Sequence, residues 1–308
     1  MISIIIPTYF AEAYLTQLLP QIQKQVFQEF ELIIIDSSSK DDTIKIAEQY
    51  TDNLIIIPQE EFDHGGTRAK AARMAKGEII IFLTQDILPY DEHMIDKIID
   101  PFTDPSIGAA YGRQLSYEDT NLFGKHLRSF NYPEHSSVKS KKEIPQYGIK
   151  TAQLSNSFAA YRKSTLEQVG YFKDDLILGE DVYTGAKMIL SGYKLAYSAE
   201  AKVYHSHSYT VFQEFKRYFD IGVFHKNENW ILKEFGKAEG EGMRYIKSEL
   251  DYLFTHGAWY LLPEFFFRNA MKYLGYKLGM HHERLPKSLI LKVSMHHRWW
   301  SNRNTKSD

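Results

Sequence analysis

The stretch ISIIIP at residues 2–7 reads as a short strand, because isoleucine is β-branched, the run Ile4 to Ile6 is unbroken, and Pro7 closes it. A helix candidate from Tyr14 to Gln25 follows, and then the same kind of strand returns as ELIIID, Glu31 to Asp36. Strand, helix and strand in that order predict a parallel crossover. The pattern continues outward through a helix around Thr43 to Tyr50, NLIIIP at residues 53–58, a helix from Thr67 to Lys76, and EIIIFL at residues 78–83. Solid apolar runs at Ile4 to Ile6, Ile33 to Ile35 and Ile79 to Leu83 suit parallel strands covered on both faces. The expected fold class is therefore α/β, with ligands gathered at the strand ends.

A further strand is expected at Ala109 to Arg113, and regular structure at Ser155 to Arg162 and Tyr193 to His205, with a helix after Glu180 in GEDVYTGAKMILSG. The segment Asn131 to Ile149 mixes proline, lysine, serine and glycine without a clean period, and reads as a mobile, substrate-facing loop. From Val211 onward the chain is aromatic-rich and helical in pattern, with another helix at Met243 to Phe254. The expected division is a catalytic core over 1–210 and a C-terminal helical appendage over 211–308.

The chain has 308 residues, 37 basic and 39 acidic side chains, a formal charge of -2 and no cysteine. It can form neither a disulfide scaffold nor a thiolate metal cluster. Near-neutrality argues against a nucleic-acid partner. The first fifteen residues lack a secretory pattern, which sets the expectation of a cytoplasmic protein. The apolar stretch Ala258 to Phe267 is too short to span a bilayer and contains Pro263 and Glu264, leaving a peripheral membrane contact open. Residues 268–308 hold nine Lys or Arg against Glu283 and Asp308 alone, a local charge of +7. With Trp299 and Trp300, this basic tail is a candidate membrane-surface or homodimer contact.

Acids follow expected strands or precede expected helices at Asp36, Asp41, Asp42, Asp86 and the pair Glu180–Asp181. A hard divalent ion takes such oxygen ligands, and Asp86 is the leading one, although a lone aspartate at a strand end also serves as a turn or helix cap. In FDHGGTRAKAA, Gly65 and Gly66 permit a tight approach, and exposed amides with Arg68 can hold a diphosphate; the same glycines also suit an ordinary turn. The spacing is neither a dinucleotide fingerprint nor a P-loop.

SIIIPTY followed by LIIIDSSSKDDT resembles the inverting family 2 glycosyltransferases of GT-A fold over roughly residues 2–235. The blocks FGKHLRSFNYP and YGIKTAQLSNSFAAYR resemble bacterial rhamnosyltransferases more narrowly. The resemblance implies a donor pocket with Pro7, Thr8 and Tyr9, and Asp36 on the nucleotide base. Thr84, Gln85 and Asp86 stand at the metal motif: its usual first acid is absent, so Gln85 falls to the donor side and Asp86 is the matching metal contact, with Mg2+ or Mn2+ as cofactor. GEDVY resembles the acceptor-side motif, which makes Asp181 the general base and Glu180 an acceptor-orienting group. In VYHSHSY, His205 resembles a histidine that approaches metal or diphosphate, with His207 as second choice on the same face of a strand. Asn156 stands among the donor-positioning groups. The implied reaction is transfer of L-rhamnose from dTDP-L-rhamnose to a hydroxyl of a polysaccharide or lipid-linked glycan at the inner face of the plasma membrane.

Overall fold

The computed structural model describes residues 1–236 and 240–302. Strand β1 (Ile2–Thr8), helix α1 (Glu12–Gln23) and strand β2 (Phe30–Asp36) form the expected crossover. Helix α2 (Thr43–Ala47), β3 (Leu54–Ile56), α3 (His64–Met74) and β4 (Ile79–Leu83) extend it. Strand β1 pairs in parallel with β2 and β4, and β2 with β3. Successive residues of a strand face opposite ways, and here both faces are covered. Ile4, Ile6, Ile34, Ile81 and Leu83 join Leu15, Leu18, Leu19 and Ile22 of α1 in one core. Ile5, Ile33, Ile35, Ile80 and Phe82 join Ala69, Ala71 and Ala72 of α3 in another. That double burial is why these strands lack a polar alternation.

The chain continues through β5 (Leu88–Pro89), α4 (Met94–Ile99), β6 (Ile107–Leu115), α5 (Leu122–Asn131), β7 (Ser137–Lys139) and α6 (Ile144–Tyr147). Next come β8 (Phe158–Arg162), α7 (Lys163–Gln168), α8 (Glu180–Leu190) and β9 (Lys194–Tyr204). The sheet runs β3-β2-β1-β4-β8-β6-β9-β5, with β7 beside β9. Strand β8 is antiparallel to β4 and β6, whereas β6 and β9 are parallel. The pairs Thr8↔Asp36, Leu83↔Phe158 and Leu115↔Tyr204 therefore mark one edge of the sheet. The C-terminal ends of β1, β2, β4, β6 and β9 meet the start of β8 there.

The expected loop over Asn131 to Ile149 is built of short elements instead. Strand β7 pairs with β9, Ser137 opposite Tyr197, and Ser140 and Glu143 cap each other's backbone in the turn that leads into α6. A three-residue strand held by a partner almost sixty residues away leaves no local period to read.

The C-terminal region comprises α9 (Val211–Asn227), α10 (Asn229–Phe235), α11 (Glu241–Thr255), α12 (Leu262–Met280), α13 (Lys287–Val293) and α14 (His297–Asn302). Phe215, Phe219, Val223 and Phe224 of α9 share a core with Tyr161 of β8 and Ile189 of α8. Helix α12 lies close on α9: a Cβ on Gly275 would meet the Phe215 carbonyl at 2.3 Å, and one on Gly279 the Phe219 carbonyl at 2.0 Å. Trp299 and Trp300 pack against the same core, and the Trp299 indole N–H donates to the Asp175 carbonyl at 3.1 Å. Residues 303–308 of the basic tail lie outside the described residues. No described helix is long and apolar enough to cross a membrane.

Candidate active site

The edge where β1, β2 and β4 end holds the first group of expected residues. Gln85 accepts from the Tyr9 N–H at 2.8 Å and donates to the Tyr9 carbonyl at 3.1 Å, tying the Pro7–Tyr9 segment to the loop after β4. The side chain at the place of the missing acid is thus spent on backbone, and Asp86 stands without a neighbouring carboxylate in Thr84–Asp86. Asp36 is fully buried, with its carboxylate accepting from the Thr8 hydroxyl at 2.8 Å and from the Ser39 N–H and hydroxyl, both at 2.7 Å. Its visible work is to fasten the β2–α2 turn to the end of β1; it presents no surface to a base.

Beyond β9, His205 and His207 both turn toward Asp86. The Asp86 carboxylate lies 3.4 Å from His205 Nε2 and 3.6 Å from His207 Nε2, and the three ligand atoms fall within 4.8 Å of one another. Gln114 of β6 fixes the arrangement. Its Oε1 accepts from Arg128 Nη1 at 2.6 Å, and since guanidinium only donates, the amide orientation is set. The same oxygen faces His205 Nδ1 at 2.8 Å, so Nδ1 carries the proton and a neutral ring offers its Nε2 lone pair to the Asp86 side. Burial lowers both histidines, His207 to about 4, so they are neutral near pH 7. Burial alone would raise Asp86, but at the low pH where His205 is protonated its hydrogen bond and charge, with Thr84 and His207, hold the carboxyl well below the usual range. One carboxylate and two neutral imidazoles converging on one point suit a divalent cation.

The second group lies at the start of α8. Glu180 is buried, with Oε1 3.2 Å from Arg68 Nη1 and 3.0 Å from Asn156 Nδ2. Asn156 also accepts from the Tyr161 hydroxyl at 2.7 Å, so both ends of its amide are committed to the acid pair and its support. Arg68, placed by α3, likewise turns to Glu180 and to the His64 carbonyl at 2.9 Å. The helix start beside it is closed: Asp63 accepts from the Gly66 N–H at 2.6 Å, and Gly65 is required because a Cβ would lie 1.8 Å from the Lys173 carbonyl. Those glycines serve close packing and the Asp63 cap holds the Gly66 amide, which removes the expected amide cradle for a diphosphate.

Asp181 is only partly buried, and it accepts from the Val182 N–H at 2.8 Å and the Asn156 N–H at 3.3 Å. Burial and the adjacent Glu180 charge push its carboxyl up to about 7; burial would raise Glu180 too, but the Arg68 and His64 charges and the Asn156 hydrogen bond together lower it. A carboxylate tuned close to neutrality is suited to proton exchange.

Two cavities flank the Thr84–Asp86 segment. One of about 540 Å3 holds Asp86 and His207 between Tyr14, Tyr117 and Tyr209. The other, of about 570 Å3, holds Thr84, Arg68, Asn156, Glu180 and Asp181. Arg217 of α9 and His296 complete the second. Asp220 carries His296 there, accepting from the Ser294 hydroxyl at 2.6 Å and the Met295 N–H at 2.8 Å. Gln114, Arg128 and His296 carry no local signal, because their partners come from distant elements.

Residues 3–170 match the family Glycosyl transferase family 2. The chain is 46% identical over 302 residues to the O-antigen chain rhamnosyltransferase WbaN of Salmonella anatum, covering 97% of this chain and 96% of that one. It is 45% identical over 303 residues to the O-antigen chain rhamnosyltransferase RfbN of Salmonella typhimurium, covering 98% and 96%. Among solved structures, the mannosyltransferase PcManGT from Pyrobaculum calidifontis, in complex with GDP-Man and Mn2+, aligns with a TM-score of 0.59 at 16% identity, over 100% of this chain and 87% of that one. TarS 1-349 of S. aureus in complex with UDP aligns with a TM-score of 0.54 at 20% identity, over 92% and 91%. These two share the fold, which is GT-A-like. With the family match over more than half of its length and nearly full-length identity to two relatives, the chain belongs to glycosyl transferase family 2.

Proposed function

We propose that this glycosyltransferase transfers L-rhamnose, with inversion, from dTDP-L-rhamnose to a hydroxyl of a growing O-antigen-type polysaccharide. The observation that carries the reading is the 46% identity, across both chains, to an O-antigen chain rhamnosyltransferase. Geometry supports the chemistry. The donor lies at the sheet edge, with its base toward the turn that Asp36 fastens and Pro7, Thr8 and Tyr9 beside it. Asp181 accepts the proton of the acceptor hydroxyl as that oxygen attacks the anomeric carbon and the bond to the diphosphate oxygen breaks on the opposite side. Glu180, held by Arg68 and Asn156, keeps Asp181 basic enough for this and orients it. A Mg2+ or Mn2+ ion would be held by Asp86, His205 and His207, and supplies positive charge against the departing diphosphate.

The proposed place of work is the inner face of the plasma membrane, on a lipid-linked chain. A panel of nucleotide sugars with defined acceptors, run with and without divalent ions, tests the whole reading through product mass and anomeric configuration. The expected outcome is rhamnosyl transfer with inversion that chelation abolishes. Transfer of a different sugar, or a retained configuration, overturns it.

A further inference from the structure

Helix α12 has its polarity turned inside out. Arg268 and Lys272 point inward: Arg268 lies 3.0 Å from Glu214 and donates to Glu264 at 2.8 Å, and Lys272 lies 3.6 Å from Glu214 and 3.7 Å from Glu249. Five aromatic residues in and just before the helix point outward, whereas Phe265 packs inward. Trp259 and Tyr260 in the turn before the helix, with Phe266, Phe267 and Tyr273 on it, are between 58% and 67% exposed, and Leu274 is exposed beside them. On α12 they recur at helical spacing with Pro263 and Ala270, making an apolar stripe about 16 Å long that ends at the exposed Lys277. Among the described residues nothing covers this face. A water-facing helix has the reverse arrangement, and a large exposed apolar patch marks an interaction surface.

The surrounding charge and the residue types choose the occupant. Lys277, Arg284, Lys287, Lys292 and Arg298 are exposed in the segment that follows, while its one described acid, Glu283, pairs with Lys226 at 3.4 Å. An apolar stripe that ends in an exposed lysine and is followed by a basic segment complements an anionic surface. Tryptophan, tyrosine and phenylalanine with flanking lysine are the residues that settle at the boundary of acyl chains and headgroups. We propose that the outward face of α12, with the Trp259–Tyr260 turn, is the surface by which the protein lies on an anionic lipid bilayer.

This moves the contact from Trp299 and Trp300, which pack inward, to the outward side of α12, whose inner side is tied to the cleft. Arg268 donates to the Tyr209 carbonyl at 2.9 Å, and Tyr209 borders the cavity that holds Asp86 and His207. The proposal does not depend on which sugar is moved, since binding is read without turnover.

The test is flotation of the full chain with vesicles of phosphatidylethanolamine and phosphatidylglycerol, against vesicles of phosphatidylcholine alone. Point changes are required, because truncation at residue 268 would cut through α12 and strip its packing from α9. The protein is expected to float with the anionic vesicles, less so as salt is raised. Phe266→Ser with Phe267→Ser should lower partitioning between about tenfold and a hundredfold, with the melting transition and transfer to a water-soluble acceptor unchanged. Phe266→Leu with Phe267→Leu should restore most of the binding, which separates lost apolarity from disturbed folding. Equal flotation of the serine variant overturns the proposal, as does a native chain that ignores anionic vesicles. A native dimer that the serine pair converts to a monomer in vesicle-free solution also overturns it, making a second copy the occupant.

Discussion

Asp86 and Asp181 flank one segment of the sheet edge and are tuned in opposite directions. Asp86 faces two imidazoles and is held charged well below the usual carboxylate range, whereas Asp181 lies beside the buried Glu180 and is pushed up to about 7. A carboxylate that never takes a proton suits a cation; one that titrates near neutrality suits a base. Acids driven apart by their surroundings are suited to different tasks, and here each lines its own cavity.

Exchanging the two roles is the strongest way to break this comparison. Asp181→Asn should lower kcat about a thousandfold while nucleotide-sugar affinity stays close to native, because the proton acceptor is lost and the donor side is untouched. Asp86→Asn should instead weaken donor binding in the presence of divalent ion. Titration calorimetry beside initial rates separates the two, and a matching loss of donor affinity in both variants would erase the distinction.

A smaller effect sharpens the Asp86 side. Gln114 selects the His205 tautomer, so Gln114→Leu should cost roughly ten- to a hundredfold in metal affinity without touching a ligand atom. Isothermal titration with Mn2+ reads this directly, and unchanged affinity would show that His205 needs no such partner.

The smallest change concerns pH. Asp181 must be ionised to accept a proton, so kcat rises as pH passes upward through its pKa. Glu180 raises that pKa, and Glu180→Gln removes the charge while leaving an oxygen for Arg68 and Asn156. The half-maximal point of the acid limb should therefore move down, by about one pH unit. A limb that stays put, or moves up, would mean that Glu180 acts by position alone.

The sheet was legible because its strands carry their burial in their composition: Ile33 to Ile35 and Ile79 to Leu83 are apolar throughout, and both faces of the sheet are covered. The acid pair was legible too, at the start of an amphipathic helix. Less legible was what each side chain would touch. Asp36, expected at a base, is enclosed by Thr8 and Ser39; Asn156, expected at the donor, holds the acid pair; of the glycines of α3, Gly65 meets Lys173 and Gly66 lies against Asp63. Each outcome depends on a partner more than twenty residues away or on a short turn closing over a carboxylate.

Taken alone, the amino-acid order determined the α/β crossovers, since burial period is a local property, and its resemblance to a family singled out Asp86 and Asp181. Only the tertiary structure decided that His207 joins His205 at Asp86, that Gln114 sets the tautomer, and that α12 faces its aromatics outward. The reason in the last case is physical. The +7 of residues 268–308 reads as an exposed basic tail, yet Glu214 and Glu249 from two other helices pair with Arg268 and Lys272 on the inner side of α12, leaving Phe266, Phe267 and Tyr273 on the outer side.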